Sequence, residues 1–141
     1  MKVTAKQIAE WADSREAQAS LPRLVRRLAL NAAMTTRISF PAGDSVSLPG
    51  WDGELCSNAG DPWVPKGKSF WELSCEARPT VKANRDYKKR TKDTDSDVRL
   101  ESTLVVVTAR RWPKKTEWLK KRRDSAEWLD IRAYDADDLE C

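Results

Sequence analysis

Histidine is missing from all 141 residues of the chain. With it go the Ser-His-Asp triad, the Cys-His dyad, histidine-ligated zinc and the histidine general base. Any chemistry falls to carboxylates, lysines, hydroxyls or a metal held by oxygen. Cysteine is scarce too: Cys56, Cys75 and Cys141 stand at no metal-ligand spacing and cannot all pair, which suits a reducing compartment. No apolar run approaches the roughly 18 residues of a membrane span. The opening Met-Lys-Val-Thr-Ala-Lys-Gln lacks the apolar centre of a signal peptide, so the expected location is the cytoplasm, with no membrane partner. Neither an internal repeat nor a low-complexity segment is present.

What is there is the composition of a charged globular protein, 40% apolar and 34% charged, with a net charge of +4 that leans weakly toward anionic partners. The length is that of one domain, 1–141. Thr4 and Gln7 fit a capping box, followed by an apolar side of Ile8, Ala9, Trp11 and Ala12, so a short helix is expected from Thr4. Ser20 and Pro22 read as the start of a second helix running to about Ala32, with Leu21, Leu24, Val25, Leu28 and Ala29 as its apolar stripe. Arg37–Phe40 and Ser45–Leu48 alternate like short strands around the turn residues 41–44.

The stretch from Gly50 to Glu76 carries the most information. Gly-Trp-Asp-Gly-Glu-Leu and Lys-Ser-Phe-Trp-Glu-Leu-Ser-Cys-Glu read as two strands joined by a loop rich in turn formers, namely Asn58, Gly60, Pro62, Pro65 and Gly67. A period of two puts Phe70, Glu72, Ser74 and Glu76 on one face of the second strand, and Trp71, Leu73 and Cys75 on the other. Two acids on neighbouring strands, Asp52 and Glu72, are a simple way to hold a divalent cation. Asp52 in Trp-Asp-Gly also reads as a plain turn residue. An acid inside an apolar strand, as Glu72 is, needs a partner or a metal.

Past Pro79, Val81–Lys92 reads as a helix with an apolar ridge of Val81, Ala83 and Tyr87 and a basic one of Lys82, Arg85, Lys88, Lys89 and Arg90. Asp93–Asp97 reads as a charged loop. Thr103–Thr108 is a continuous β-branched run, the mark of a strand covered on both faces. A basic helix over Pro113–Arg123, a strand over Trp128–Tyr134 and the first turn of a helix from Asp135 complete the order. That last helix stops after one turn, which suggests the N-terminal fragment of a longer protein. The sum is an α/β domain, a central mixed sheet of about five strands flanked by helices. Trp112, Trp118 and Trp128 fit a core or a protein interface better than a base-stacking platform.

An acid opening one strand, an acid within the next, a basic residue two places on, then helix, buried strand, helix and strand resembles the restriction-endonuclease-like PD-(D/E)xK nucleases. Gly50–Gly53, Phe70–Leu73, Lys82–Arg90 and Val107–Trp112 look like the N-terminal nuclease module of large bacterial proteins, defence ATPases among them. The resemblance implies a three-layer fold and a DNA endonuclease without strong sequence specificity, in a setting of antiviral defence. The module would be fused to or act with an ATPase or sensor, and would work as a homodimer or larger oligomer. It gives Asp52 and Glu72 to Mg²⁺ or Mn²⁺. Ser74 stands where the family has its lysine. Lys82 on the following helix is the substitute, a relocation known in the superfamily, with Asp86 one turn on to orient it. Ser74, Glu54 and Asp86 are supporting candidates, with Glu76 a further acid in reach. Lys88, Lys89, Arg90, Arg110, Arg111, Lys114 and Lys115 are the candidate nucleic-acid contacts, though such residues are more often a solvated surface. A second reading takes Ser74 as the mark of a catalytically silent adaptor that binds nucleic acid or protein. A third directs the nuclease at RNA.

Overall fold

The computed structural model describes residues 3–32, 35–39, 52–60 and 62–140. Five strands, β1 (Thr35–Ser39), β2 (Gly53–Ser57), β3 (Gly67–Ser74), β4 (Ser102–Thr108) and β5 (Asp130–Tyr134), lie in the order β1-β2-β3-β4-β5. β1–β2 and β2–β3 are antiparallel; β3–β4 and β4–β5 are parallel. The sheet is therefore mixed, and the chain is an α/β domain.

The helices follow from local chemistry. α1 (Ala5–Trp11) starts at the Thr4–Gln7 capping box, in which the Thr4 hydroxyl accepts from the Gln7 N–H and Gln7 Oε1 accepts from the Thr4 N–H. α2 (Arg15–Ala32) begins seven residues before Pro22, contrary to the expected start there. Ser14 supplies the cap, its hydroxyl accepting from the Ala17 N–H at 3.2 Å. Burial of Ala17, Leu21, Pro22 and Val25 on one stripe outweighs the hydrogen bond that a proline cannot donate.

α3 (Pro79–Asp93) opens with proline in its first turn, where a missing N–H costs nothing. The expected loop over 93–97 is instead a brief break before a short helix, α4 (Ser96–Arg99). α5 (Lys115–Asp124) and α6 (Ala136–Leu139) follow; in α6 the Asp135 carboxylate caps the N–H groups of Asp137 and Asp138. The expected strand at 45–48 lies outside the described residues. No helix among the described residues is long and apolar enough to cross a membrane.

Strand alternation divides the core in two. Leu55, Trp71, Leu73, Val105 and Val107 pack under α1, α2 and α6. Phe70, Leu104, Val106, Ile131 and Ala133 pack under α3 and α5, together with Trp112, Trp118 and Trp128. All seven residues of β4 are buried, as expected of a parallel strand with helices on both faces. The three tryptophans are core residues, and their indole N–H groups fix α3. Trp112 donates to Thr80 Oγ1 at 2.8 Å, Trp118 to Asn84 Oδ1 at 2.8 Å and Trp128 to Thr91 Oγ1 at 3.0 Å. An indole buried without an acceptor would cost about 1–3 kcal/mol, so these bonds set the rotation of α3 over the sheet. Val81, expected on the apolar ridge, is turned outward and 54% exposed, while Ala83 and Tyr87 are buried.

Candidate active site

The β2–β3 register pairs Gly53 with Trp71 and Glu54 with Phe70. Asp52 therefore stands across from Glu72, and their side chains share the face that α3 covers. β2 begins at Gly53, and Asp52 just precedes it: its Oδ2 accepts the Leu73 N–H at 2.8 Å, so the carboxylate is tied to the backbone of the strand that carries Glu72. Glu72 lies mid-strand and is 3% exposed. Twenty residues apart in sequence, the two acids converge as the sequence pattern expected.

α3 completes the site from above. Lys82, Asp86 and Arg90 recur at every fourth position and so form one edge of the helix. The Lys82 ammonium donates to Asp86 Oδ1 at 2.8 Å, the orientation expected of that pair. Arg90 Nε donates to Glu72 Oε1 in a close, largely buried ion pair. Among the described residues Lys82 reaches Asp86 and neither strand carboxylate.

Burial, with the Asp52 carboxylate beside it, pushes the Glu72 carboxyl up to about 8 from 4.5; Asp86 adds to the rise and the Arg90 guanidinium opposes it. The short Arg90 contact alone would argue for a low value. Desolvation decides otherwise, because Glu72 is deep in the sheet, the Asp52 and Asp86 carboxylates both work against the one guanidinium, and Asp52 shares a hydrogen bond with Glu72. A buried carboxyl held near neutrality in a mixed-charge cluster is how functional acids are poised, although structural ion pairs do the same.

The remaining candidates are spread out. Ser74, in the position of the family's lysine, uses its hydroxyl to accept the Glu76 N–H at 3.0 Å and so turns the chain after β3. Glu54 shares the Asp52 face but is exposed. Glu76 points outward and pairs with Arg85 at 2.7 Å. Three of the residues expected to grip phosphates are engaged inside the fold. Arg90 is bound to Glu72. Arg110 donates to Asp13 Oδ1, the Ala12 carbonyl and the Cys75 carbonyl, strapping the end of α1 to the sheet. Lys115 pairs with Asp135 and Asp138 at the α6 cap. Lys88, Lys89, Arg111 and Lys114 remain exposed.

Arg90, a candidate nucleic-acid contact in the sequence, is the partner of Glu72, a role the sequence did not suggest. The alternation of charge at Lys82, Asp86 and Arg90 is by itself the pattern of a solvent-exposed helix edge, so nothing local set Arg90 apart from its exposed neighbours. Among the described residues no group of three or more His, Cys, Asp or Glu is gathered closely enough to hold a metal by itself. No family model, no curated protein and no solved structure matches the chain.

Proposed function

We propose that the chain is a metal-dependent DNA endonuclease domain with a restriction-endonuclease-like fold, using Asp52 and Glu72 as ligands for Mg²⁺ or Mn²⁺. The observation that carries the reading is Glu72, a carboxyl buried mid-strand beside a second strand acid and held largely protonated there, whose proton a cation seated between the two would displace. Two carboxylates fit such an ion, since Mg²⁺ commonly takes one or two protein oxygens and completes its shell with water and substrate phosphate. A bound ion would stabilise charge on the phosphate oxygens and acidify a water. Asp52 is oriented by the Leu73 N–H, Asp86 holds the Lys82 ammonium on the same side, and Lys82 would steady the attacking water. Lys89, Arg111 and Lys114 are exposed cations able to meet the phosphate backbone.

The Arg90–Glu72 ion pair favours a second reading. A guanidinium already sits on one Glu72 oxygen, and Ser74 offers no charge, which is the arrangement expected of a silent adaptor that keeps the fold. Plasmid nicking with Mg²⁺ by the natural chain, Asp52→Ala and Glu72→Ala separates the two. The nuclease reading expects activity in the natural chain alone. Equal nicking by all three, or none by any together with silent Mg²⁺ calorimetry, overturns it; retained salt-dependent DNA binding then supports the adaptor.

A further inference from the structure

The edge of α3 opposite Lys82, Asp86 and Arg90 borders a cavity of about 690 Å³ between α3, α4 and α5. Four cations line it: Lys88, Lys92, Arg99 and Arg122, against one carboxylate, Glu127. Lys88 lies roughly 240° around the helix from Lys82, so the cavity is separate from the carboxylate site. Its two arginines are held in place by uncharged groups. Arg99 donates from Nε to the Thr94 carbonyl at 3.0 Å and from a terminal nitrogen to the Glu127 carbonyl at 2.7 Å. Arg122 donates to Asn84 Oδ1 at 2.8 Å and stacks 4.4 Å above the Tyr87 ring, and its buried Nε–H has no acceptor among the described residues. The Glu127 carboxylate is engaged by the Tyr87 hydroxyl at 2.6 Å. Among the described residues none of the four cations has a carboxylate partner, whereas Lys82, Arg85, Arg90, Arg110, Lys115 and Arg123 all do.

Two guanidiniums held in place before any ligand arrives, two exposed ammoniums and a concave wall describe an anion site with half of its cations already ordered. The four cationic side chains line one concavity. A duplex presents its phosphates as a line along its length, while a chain of linked phosphates puts several charges within one such space. Tyr87 is covered by Arg122, so no free ring faces the cavity for base stacking.

We propose that this cleft binds a compact polyphosphate group, carried by an inorganic polyphosphate or a nucleoside triphosphate, independently of the carboxylate site. The test is calorimetric titration, in EDTA at fixed ionic strength, of inorganic tripolyphosphate and of ATP. The proteins are the natural chain, the double variant Lys88→Gln/Lys92→Gln, and the charge-matched control Lys6→Gln/Lys120→Gln. Lys88 and Lys92 are exposed, so their replacement leaves the core intact. One-to-one binding of tripolyphosphate is expected, weakened about tenfold or more in the cleft variant and less than about twofold in the control. Equal affinity for the two probes assigns the phosphate chain as the whole ligand, and tighter ATP binding assigns a nucleotide. Absence of saturable binding, or the same weakening in both double variants, overturns the proposal. So does a short duplex that loses affinity in the cleft variant when tripolyphosphate does not bind, which would make these lysines a backbone grip.

Discussion

Replacing Glu72 by glutamine removes a titration whose sign and size follow from the site. In the folded chain the carboxyl loses its proton at about 8, against 4.5 for an unperturbed group. Below the lower value both folded and unfolded chains hold the proton, and Glu72 adds no pH dependence. As pH rises from there the unfolded chain releases its proton while the folded chain keeps it, so stability falls by up to about 1.4 kcal/mol per pH unit and levels off past the folded value. The full span is about 5 kcal/mol, undiscounted by solvent because Glu72 is 3% exposed. Glutamine retains the shape, accepts from Arg90 and donates toward Asp52, but does not titrate. Urea unfolding in EDTA, followed by the fluorescence of buried Trp71, Trp112, Trp118 and Trp128, measures both proteins. From about pH 5.5 to about pH 7.5 the natural chain is expected to lose about 2–3 kcal/mol relative to Glu72→Gln. Parallel profiles across that window would refute the account of Glu72 as a neutral, desolvated acid.

Other outcomes follow from particular contacts. Thr80→Val leaves the Trp112 indole N–H without its acceptor and is expected to cost about 1–3 kcal/mol in denaturant unfolding; no loss would show that this bond does not hold α3. Arg110→Ala removes the strap between α1 and the sheet, and hydrogen exchange is expected to quicken in α1 while β4 stays protected; uniform protection would contradict the strap. Leu104→Ala opens a cavity beneath α3 and α5 at about 2–5 kcal/mol, read as a lowered melting temperature. Burial pushes the Cys75 thiol up to about 11, so it is expected to react with a disulfide reagent at neutral pH only on unfolding, and rapid labelling of Cys75 in the folded chain would contradict that environment. The same rise makes its contribution to stability one that is lost as pH climbs from about 9 toward about 11.

Much of the scaffold could be read from local pattern because local rules produced it. The Thr4–Gln7 box, the proline opening α3, the unbroken apolar run of β4 and the alternation of β3 each meet a requirement within a few residues. Pro22 misled because a start signal and a tolerated interior proline look alike until the stripe from Ala17 is known to be buried. Val81 misled because α3 turns only Ala83 and Tyr87 into the core, where Trp112, Trp118 and Trp128 fill the rest of the space above the sheet. The basic residues were the least legible, since Arg90, Arg110 and Lys115 look like their exposed neighbours until something distant accepts their hydrogen bonds.

The residues alone determined that chemistry here belongs to carboxylates and cations and that β4 lies between two layers, because period and composition act over short range; it took the β2–β3 register to put Asp52 and Glu72 on one face. Only the tertiary structure decided which charges are neutralised. It brought Arg90 onto Glu72 across 18 positions, kept Lys82 on Asp86, and left Lys88, Lys92, Arg99 and Arg122 around one cavity. Coulomb energy depends on distance and desolvation, and neither exists until α3 has been turned and fixed by the three tryptophans.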